Sequence, residues 1–330
     1  MLHNLADTIH PALDAARAHE PAVEARLRAA WAGTPLADAG AEHAAGGGKR
    51  TRARLTLAAA ALTGAPEADA HAAATAVELL HNAALVHDDV IDGDTTRRGQ
   101  PAVWARHGAS AAVLLGDRLL AAAHAEAARS SVPAALVEAV SGTATRLVDG
   151  VARERDPAAA TPPRDAYLAA TRAKTGALFA LTVDAALALT DAPRTERERA
   201  RTAFEALGAA YQIADDMADL DGLKDGRPAG GDIRAGRLCA PLAAVRAHAP
   251  AARRAALERA LAAGEPLTGW VPVMRAPWVR RRVGAWHETL CAEAARAADE
   301  VRPALKALAA WAETRVGGEL EAAPCAAGTP

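Results

Sequence analysis

The sequence predicts an all-α fold, and three observations carry that reading. Alanine, the strongest helix former, supplies about 29% of the 330 residues. Aromatic residues number only ten and β-branched residues are scarce, which leaves little material for sheets. Apolar residues recur at three- and four-residue spacing almost throughout, with no strand-length alternation.

Pro and Gly clusters cut this pattern into successive helices. The expected elements are 4–19, 21–31, 49–63, 67–92, 109–130, 133–153, 164–189, 195–222, 240–262 and 279–316. The helix at 49–63 opens just after Gly46-Gly47-Gly48. That at 67–92 holds the apolar run Val77 to Val86, and that at 195–222 holds Ala203 to Ala214. Thr161-Pro162-Pro163 precedes 164–189, and a Gly-rich loop at 223–239 carries Lys, Arg and Asp before 240–262. No linker divides the chain. Residues 1–316 are expected to form a single all-helical domain and 317–330 a flexible C-terminal tail.

Composition excludes several classes of function. A formal charge of -2 and a pI near 6.6 leave no basic excess for a nucleic-acid backbone. Cys239, Cys291 and Cys325 lie far apart with no CxxC pair, so neither a disulfide framework nor a zinc site is indicated. No basic segment followed by an apolar run is visible at the start, and no apolar stretch reaches the roughly 20 residues that span a bilayer. The expectation is a cytoplasmic protein without a transmembrane segment.

Two helices end in the same acidic pattern. His87-Asp88-Asp89-Val90-Ile91-Asp92 and Ala214-Asp215-Asp216-Met217-Ala218-Asp219 both contain Asp-Asp-x-x-Asp. Positions i and i+4 share a helix face, so Asp88 projects with Asp92 and Asp215 with Asp219. Like charges repel there unless cations compensate them. Oxygen donors without His or Cys point to Mg²⁺, which uses one or two carboxylates together with substrate phosphates. One such motif reads equally well as a solvated helix end; two, each following an apolar helical run, favour opposed helices with a metal site between them.

Basic residues stand at the breaks. Lys49, Arg50 and Arg52 follow the triple glycine at a helix start, where backbone N–H groups and the dipole favour anions. Arg97-Arg98 follow the first acidic cluster. Lys174-Thr175-Gly176 interrupts an apolar helix, an awkward place for an ammonium without a partner. With only four lysines against 34 arginines, each lysine is informative. His81 lies seven residues before Asp88, on roughly the same face.

Gly48-Lys49-Arg50-Thr51-Arg52, the run from His81 to Arg98 with its DDxxD, Lys174-Thr175-Gly176, and Tyr211-Gln212 through Asp219 with Gly226-Arg227-Pro228 together resemble the trans-isoprenyl diphosphate synthases, the polyprenyl synthetases, and most of all the geranylgeranyl diphosphate synthases. The resemblance runs in order from about residue 45 to 242. It implies an isoprenoid-synthase-type helical bundle around a deep central cavity, in a homodimer, acting as a transferase in isoprenoid biosynthesis. It further implies Asp88, Asp92, Lys174 and Asp215 as catalytic, with Asp89, Asp216 and Asp219 completing the ligands of three Mg²⁺ ions on a bound diphosphate. Arg97, Lys174, Thr175 and Gln212 match positions that hold an allylic diphosphate; Lys49, Arg52, His81 and Arg98 match those that bind isopentenyl diphosphate. Arg227 and Arg237 stand where lysines are usual, and Ala53 replaces a common proline.

In such enzymes the product tail grows beside the first acidic helix. Ala83 and Ala84, five and four residues before Asp88, stand where farnesyl diphosphate synthases usually carry an aromatic floor. Leu80 and Phe179 are the next candidate stops. The expectation is geranylgeranyl diphosphate, with longer polyprenyl or farnesyl diphosphate as alternatives. A terpene cyclase needs an aromatic-lined pocket, which ten aromatic residues argue against, and intact acidic motifs argue against a non-catalytic partner subunit.

Overall fold

The computed structural model describes residues 3–154, 163–223 and 229–321. Helix α1 (His3–Ala29) runs without a break through Pro11 and Pro21, where two helices were expected. Its buried residues Ile9, Ala12, Ala16, Val23 and Leu27 hold one helical register across Pro21, so packing on its neighbours outweighs the lost hydrogen bond. Helix α2 (Ala37–Ala45) is an element the periodicity did not show. Helix α3 (Thr51–Thr63) starts after the triple glycine, and α4 (Glu67–Asp92) has the expected bounds, closed by Gly93 at φ 69°.

A two-residue hairpin follows, β1 (Thr96–Arg97) antiparallel to β2 (Gln100–Pro101). Its turn is Arg98-Gly99, both at positive φ (52° and 75°), the geometry that matches the strand twist in tight hairpins. Then come α5 (Val103–His107), α6 (Ala109–Ala127) and α7 (Pro133–Glu154). The expected helix at 164–189 is continuous but not uniform. It comprises α8 (Pro163–Thr171), a π-helical turn at Arg172–Gly176 and α9 (Ala177–Ala188). The π turn falls on Lys174-Thr175-Gly176, and such bulges commonly re-aim side chains at functional sites.

Helix α10 (Arg194–Asp221) ends at Gly222, and α11 (Gly231–Arg234) lies within the expected loop. The expected helix 240–262 is two, α12 (Ala240–His248) and α13 (Ala251–Ala262), because Pro250 forces the residue before it out of the helical region: Ala249 has ψ 157°. A 3₁₀ turn (Leu267–Trp270) and α14 (Val271–Met274) lead to α15 (Pro277–Ala298). The expected helix 279–316 also breaks, at 299–302 before Pro303, and α16 (Pro303–Glu321) extends past the expected start of the tail. Residues 322–330 lie outside the described residues.

Every residue of α9 is buried, and α3, α4, α7 and α10 pack around it. Helix α10 packs in turn on α15 and α16. Buried apolar residues form one contiguous cluster from Ile9 to Ala312. Small side chains such as Ala58, Ala59, Ala60, Ala73, Ala74 and Ala76, all without exposure, bring α3 and α4 close to their neighbours. The interior is thus built on alanine backbone approach rather than on large aromatic groups. Among the described residues, no helix is long and apolar enough to cross a membrane.

Candidate active site

Helices α4 and α10, buried along much of their second halves, carry half-buried stripes at helical spacing. On α4 the stripe includes His81, Ala84 and Asp88 and reaches exposed Asp92; on α10 it includes Tyr211, Gln212 and Asp215. The acidic motifs therefore divide into residues that line the stripe and residues that hold structure.

Asp89 is 1% exposed and accepts hydrogen bonds from Arg97, from Nε at 2.8 Å and from a terminal nitrogen on the same oxygen. Asp216, also buried, accepts from Gln212 Nε2, Tyr167 Oη and the Ala240 backbone N–H, each at 2.8 Å. Burial pushes its pKa up to about 7 against the pull of these three donors. Asp219 accepts from the Asp232 N–H at 3.1 Å, and its own carbonyl accepts from Gly230 at 2.7 Å. These carboxylates fix the hairpin, α8, α12 and the start of α11. Asp88, Asp92 and Asp215 are the members left on the accessible side.

Lys174, aimed by the π turn, donates to Glu154 at 3.0 Å. Burial alone would lower its pKa; the charges of Asp88, Glu154 and Asp92 outweigh it and raise it. Burial raises the Asp88 pKa, Lys174 opposes that shift and Asp92 adds to it. The next residue, Thr175, donates to Gln212 Oε1 at 2.8 Å, which extends the chain of hydrogen bonds to Asp216. A further chain of charges links the two acidic helix ends. Arg97 binds Asp89 and reaches Asp94 at 3.8 Å, and Arg237 contacts both Asp94 and Asp232, whose N–H meets Asp219.

The basic cluster sits seven residues up α4, roughly 10 Å along its axis. Arg52 donates to His81 Nε2 at 3.1 Å. A guanidinium cannot accept, so the imidazole proton resides on Nδ1. Burial, then Arg52 and Arg98, push the His81 pKa well below its ordinary value, keeping the ring neutral. Among the described residues, Arg52 Nε and His81 Nδ1 are buried without a protein hydrogen-bond partner. Arg98 donates to the Gly47 carbonyl, and a side chain on Gly48 (φ 155°) would meet the Arg98 guanidinium at 2.7 Å. Arg50, in left-handed backbone at φ 47°, is clamped by Glu24 and lies 3.5 Å from buried Glu78. Glu78 also accepts from the Ala53 N–H at 3.3 Å, tying the loop with exposed Lys49 to α4.

Below Arg52 lies the Phe179 ring, 5.5 Å from its Cζ, and Tyr211 is 5.5 Å beyond between ring centroids. Leu80, Ala83 and Phe179 are buried in the apolar cluster, whereas Ala84 shares the half-buried stripe. Arg227 lies outside the described residues. The sequence reading missed Tyr167, Glu78, Asp94 and Asp232. Glu78 carried the same signal as Lys174, a charge within an apolar helix, and Tyr167 is one of only two tyrosines.

The polyprenyl synthetase family model matches residues 34–267. A short chain isoprenyl diphosphate synthase of Methanocaldococcus jannaschii is 35% identical over 196 residues, 58% of this chain and 60% of that protein. The match therefore spans less than two thirds of that relative. Among solved structures, a decaprenyl diphosphate synthase from Rhodobacter capsulatus superposes with a TM-score of 0.78 at 25% identity, covering 98% of this chain and 100% of the other. A polyprenyl synthase from Caulobacter crescentus, complexed with calcium and isoprenyl diphosphate, gives 0.77 at 28% identity, covering 96% and 98%. The matched span holds both acidic helix ends and the basic cluster facing α4, and the chain belongs to the polyprenyl synthetase family.

Proposed function

We propose that the chain is a Mg²⁺-dependent prenyltransferase that condenses isopentenyl diphosphate with an allylic diphosphate, head to tail. The observation that carries this reading is the pair of subsites along α4: an acidic one at Asp88, Asp92 and Lys174, and a basic one at Arg52, His81 and Arg98, with two buried donors lacking a protein acceptor. The acidic side fits Mg²⁺, offering only hard oxygen donors from Asp88, Asp92 and Asp215, with Asp89, Asp216 and Asp219 behind them. When bound, Mg²⁺ supplies charge neutralisation that eases departure of pyrophosphate.

Lys174, Arg97, Thr175 and Gln212 hold the allylic diphosphate, and Lys174 adds a cation where negative charge develops as the C–O bond breaks. Lys49, Arg52, His81 and Arg98 hold isopentenyl diphosphate, with His81 donating through Nδ1–H. Arg237, and Arg227 outside the described residues, complete the substrate-binding set. The isopentenyl double bond attacks the allylic cation, a C–C bond forms, and the departed pyrophosphate takes the proton lost. No side-chain base is required.

Product length follows from the stripe below Asp88. Ala84 places no ring there, which supports a product longer than farnesyl diphosphate, and geranylgeranyl diphosphate is the product proposed. The names of the relatives above span short-chain and decaprenyl synthases, so longer polyprenyl products are the second reading. A single catalytic domain over residues 1–316 and a homodimer complete the proposal; exposed Val113 and Leu114 on α6 support a second copy packing there. The test is product analysis with each allylic primer, alongside sedimentation of the purified chain.

A further inference from the structure

Far along α4 from the acidic cluster, three metal-binding side chains converge. Glu67 and His71 are one helical turn apart on α4, and His19 of α1 meets them from the facing helix. His71 Nε2 lies 3.0 Å from His19 Nδ1, and Glu67 Oε1 lies 3.7 Å from that same Nδ1. One ligand atom from each of the three lies within 4.8 Å of the others. The two rings have centroids 4.9 Å apart and planes at 59°, so their edges converge instead of stacking. Two metal–nitrogen bonds of about 2.0–2.1 Å at roughly 90–110° place their nitrogens about 3 Å apart, close to the separation seen.

We propose that His19, His71 and Glu67 form a binding site for a divalent transition-metal ion of the zinc type, which ties α1 to α4. Two imidazoles and one carboxylate, with water in the fourth position, are a tetrahedral zinc donor set, and nitrogen donors select against Mg²⁺. The histidines are half-buried while Glu67 is exposed, so the ion has an entry path and room for its water. Without metal, the short nitrogen contact is a single N–H···N hydrogen bond; binding requires one ring to change tautomer.

The test is calorimetric titration of the full-length chain with Zn²⁺ in millimolar Mg²⁺, with thermal melting alongside. The expected result is one Zn²⁺ per chain and a rise in Tm of about 4 °C at a hundredfold excess over Kd. His71→Ala and His19→Gln should each weaken binding at least tenfold, while Asp88→Asn leaves it unchanged. Both histidine variants should keep the Mg²⁺-dependent turnover of the parent. Should His71→Ala not fold, His19→Gln and Glu67→Gln carry the same test, and Co²⁺ should give a visible tetrahedral absorption band that both lose. Zn²⁺ binding that survives both histidine substitutions, or no binding beyond what Mg²⁺ displaces, would overturn the assignment.

Discussion

Asp88 and Asp89 are adjacent in sequence and opposite in environment: one faces the half-buried stripe, the other is enclosed and held by Arg97. The second motif repeats the division, with Asp215 accessible and Asp216 bonded to three donors. Asp88→Asn and Asp215→Asn are expected to lower kcat/KM by about 100-fold or more with little change in Tm. Asp216→Ala instead strands the Tyr167 hydroxyl and the Ala240 N–H, and should cost about 1–3 kcal/mol for each group left unsatisfied, read by urea unfolding. The opposite pattern, stability lost at Asp88 and retained at Asp216, would contradict the division. His43 supplies a pH signature. It donates to Asn82 at 2.9 Å, and burial lowers its pKa from 6.5 to about 4, with Arg98, Arg97 and Arg50 adding to the shift and the Asn82 bond opposing it. The folded pKa lies below the unfolded one, so between these values the unfolded chain binds the extra proton. Stability should fall as pH drops from 6.5 towards 4, and His43→Gln should make that fall shallower.

At the scale of elements, the site depends on how closely the π turn approaches α10. A side chain on Gly208 would meet Gly176 Cα and Phe179 Cβ at 2.8 Å and the Thr175 carbonyl at 2.9 Å. Gly208→Ala should cost about 1–3 kcal/mol and, by shifting Lys174 and Thr175, raise KM for the allylic substrate more than for isopentenyl diphosphate. Equal effects on the two would separate the π turn from the allylic site. On the proposed function, product length is set along α4. Ala84→Phe places a ring on the stripe below Asp88 and should shorten the product to farnesyl diphosphate at retained turnover, whereas Ala83→Phe overpacks the core. An unchanged product from a folded Ala84→Phe enzyme would move the floor to Leu80 or Phe179. These elements differ in how legible they were. Helix α4 was readable to the residue because a long apolar register ends at Gly93. Strong periodicity on either side masks the breaks before Pro250 and Pro303, and the unbroken α1 shows packing overriding Pro21. Elements as short as α2, α5 and the hairpin have too few residues to display a period. The left-handed Arg98 that aims the hairpin towards Gly47 has no sequence signal of its own.

Across the whole molecule, one apolar cluster holds two acidic helix ends that lie far apart in sequence, and the run Asp89, Arg97, Asp94, Arg237, Asp232 and Asp219 joins them. The acidic pairs, Lys174 and the basic residues after the triple glycine were legible because clustered or isolated charge in apolar helices demands a partner. The partners themselves, Tyr167, Asp94 and Glu78, were not, since each meets its contact only through tertiary packing. The proposed pair of diphosphate subsites rests on this arrangement: the acidic end of α4 at Asp88 and Asp92 lies two turns from His81, which Arg52 meets from α3. The most direct test is incubation of the purified chain with labelled isopentenyl diphosphate, an allylic diphosphate and Mg²⁺, followed by mass analysis of the products and repetition in excess EDTA. The account predicts prenyl diphosphates extended by whole isoprene units, with geranylgeranyl diphosphate predominant, and no product in EDTA. Cyclised hydrocarbon, no consumption of isopentenyl diphosphate, or undiminished turnover in EDTA would contradict it.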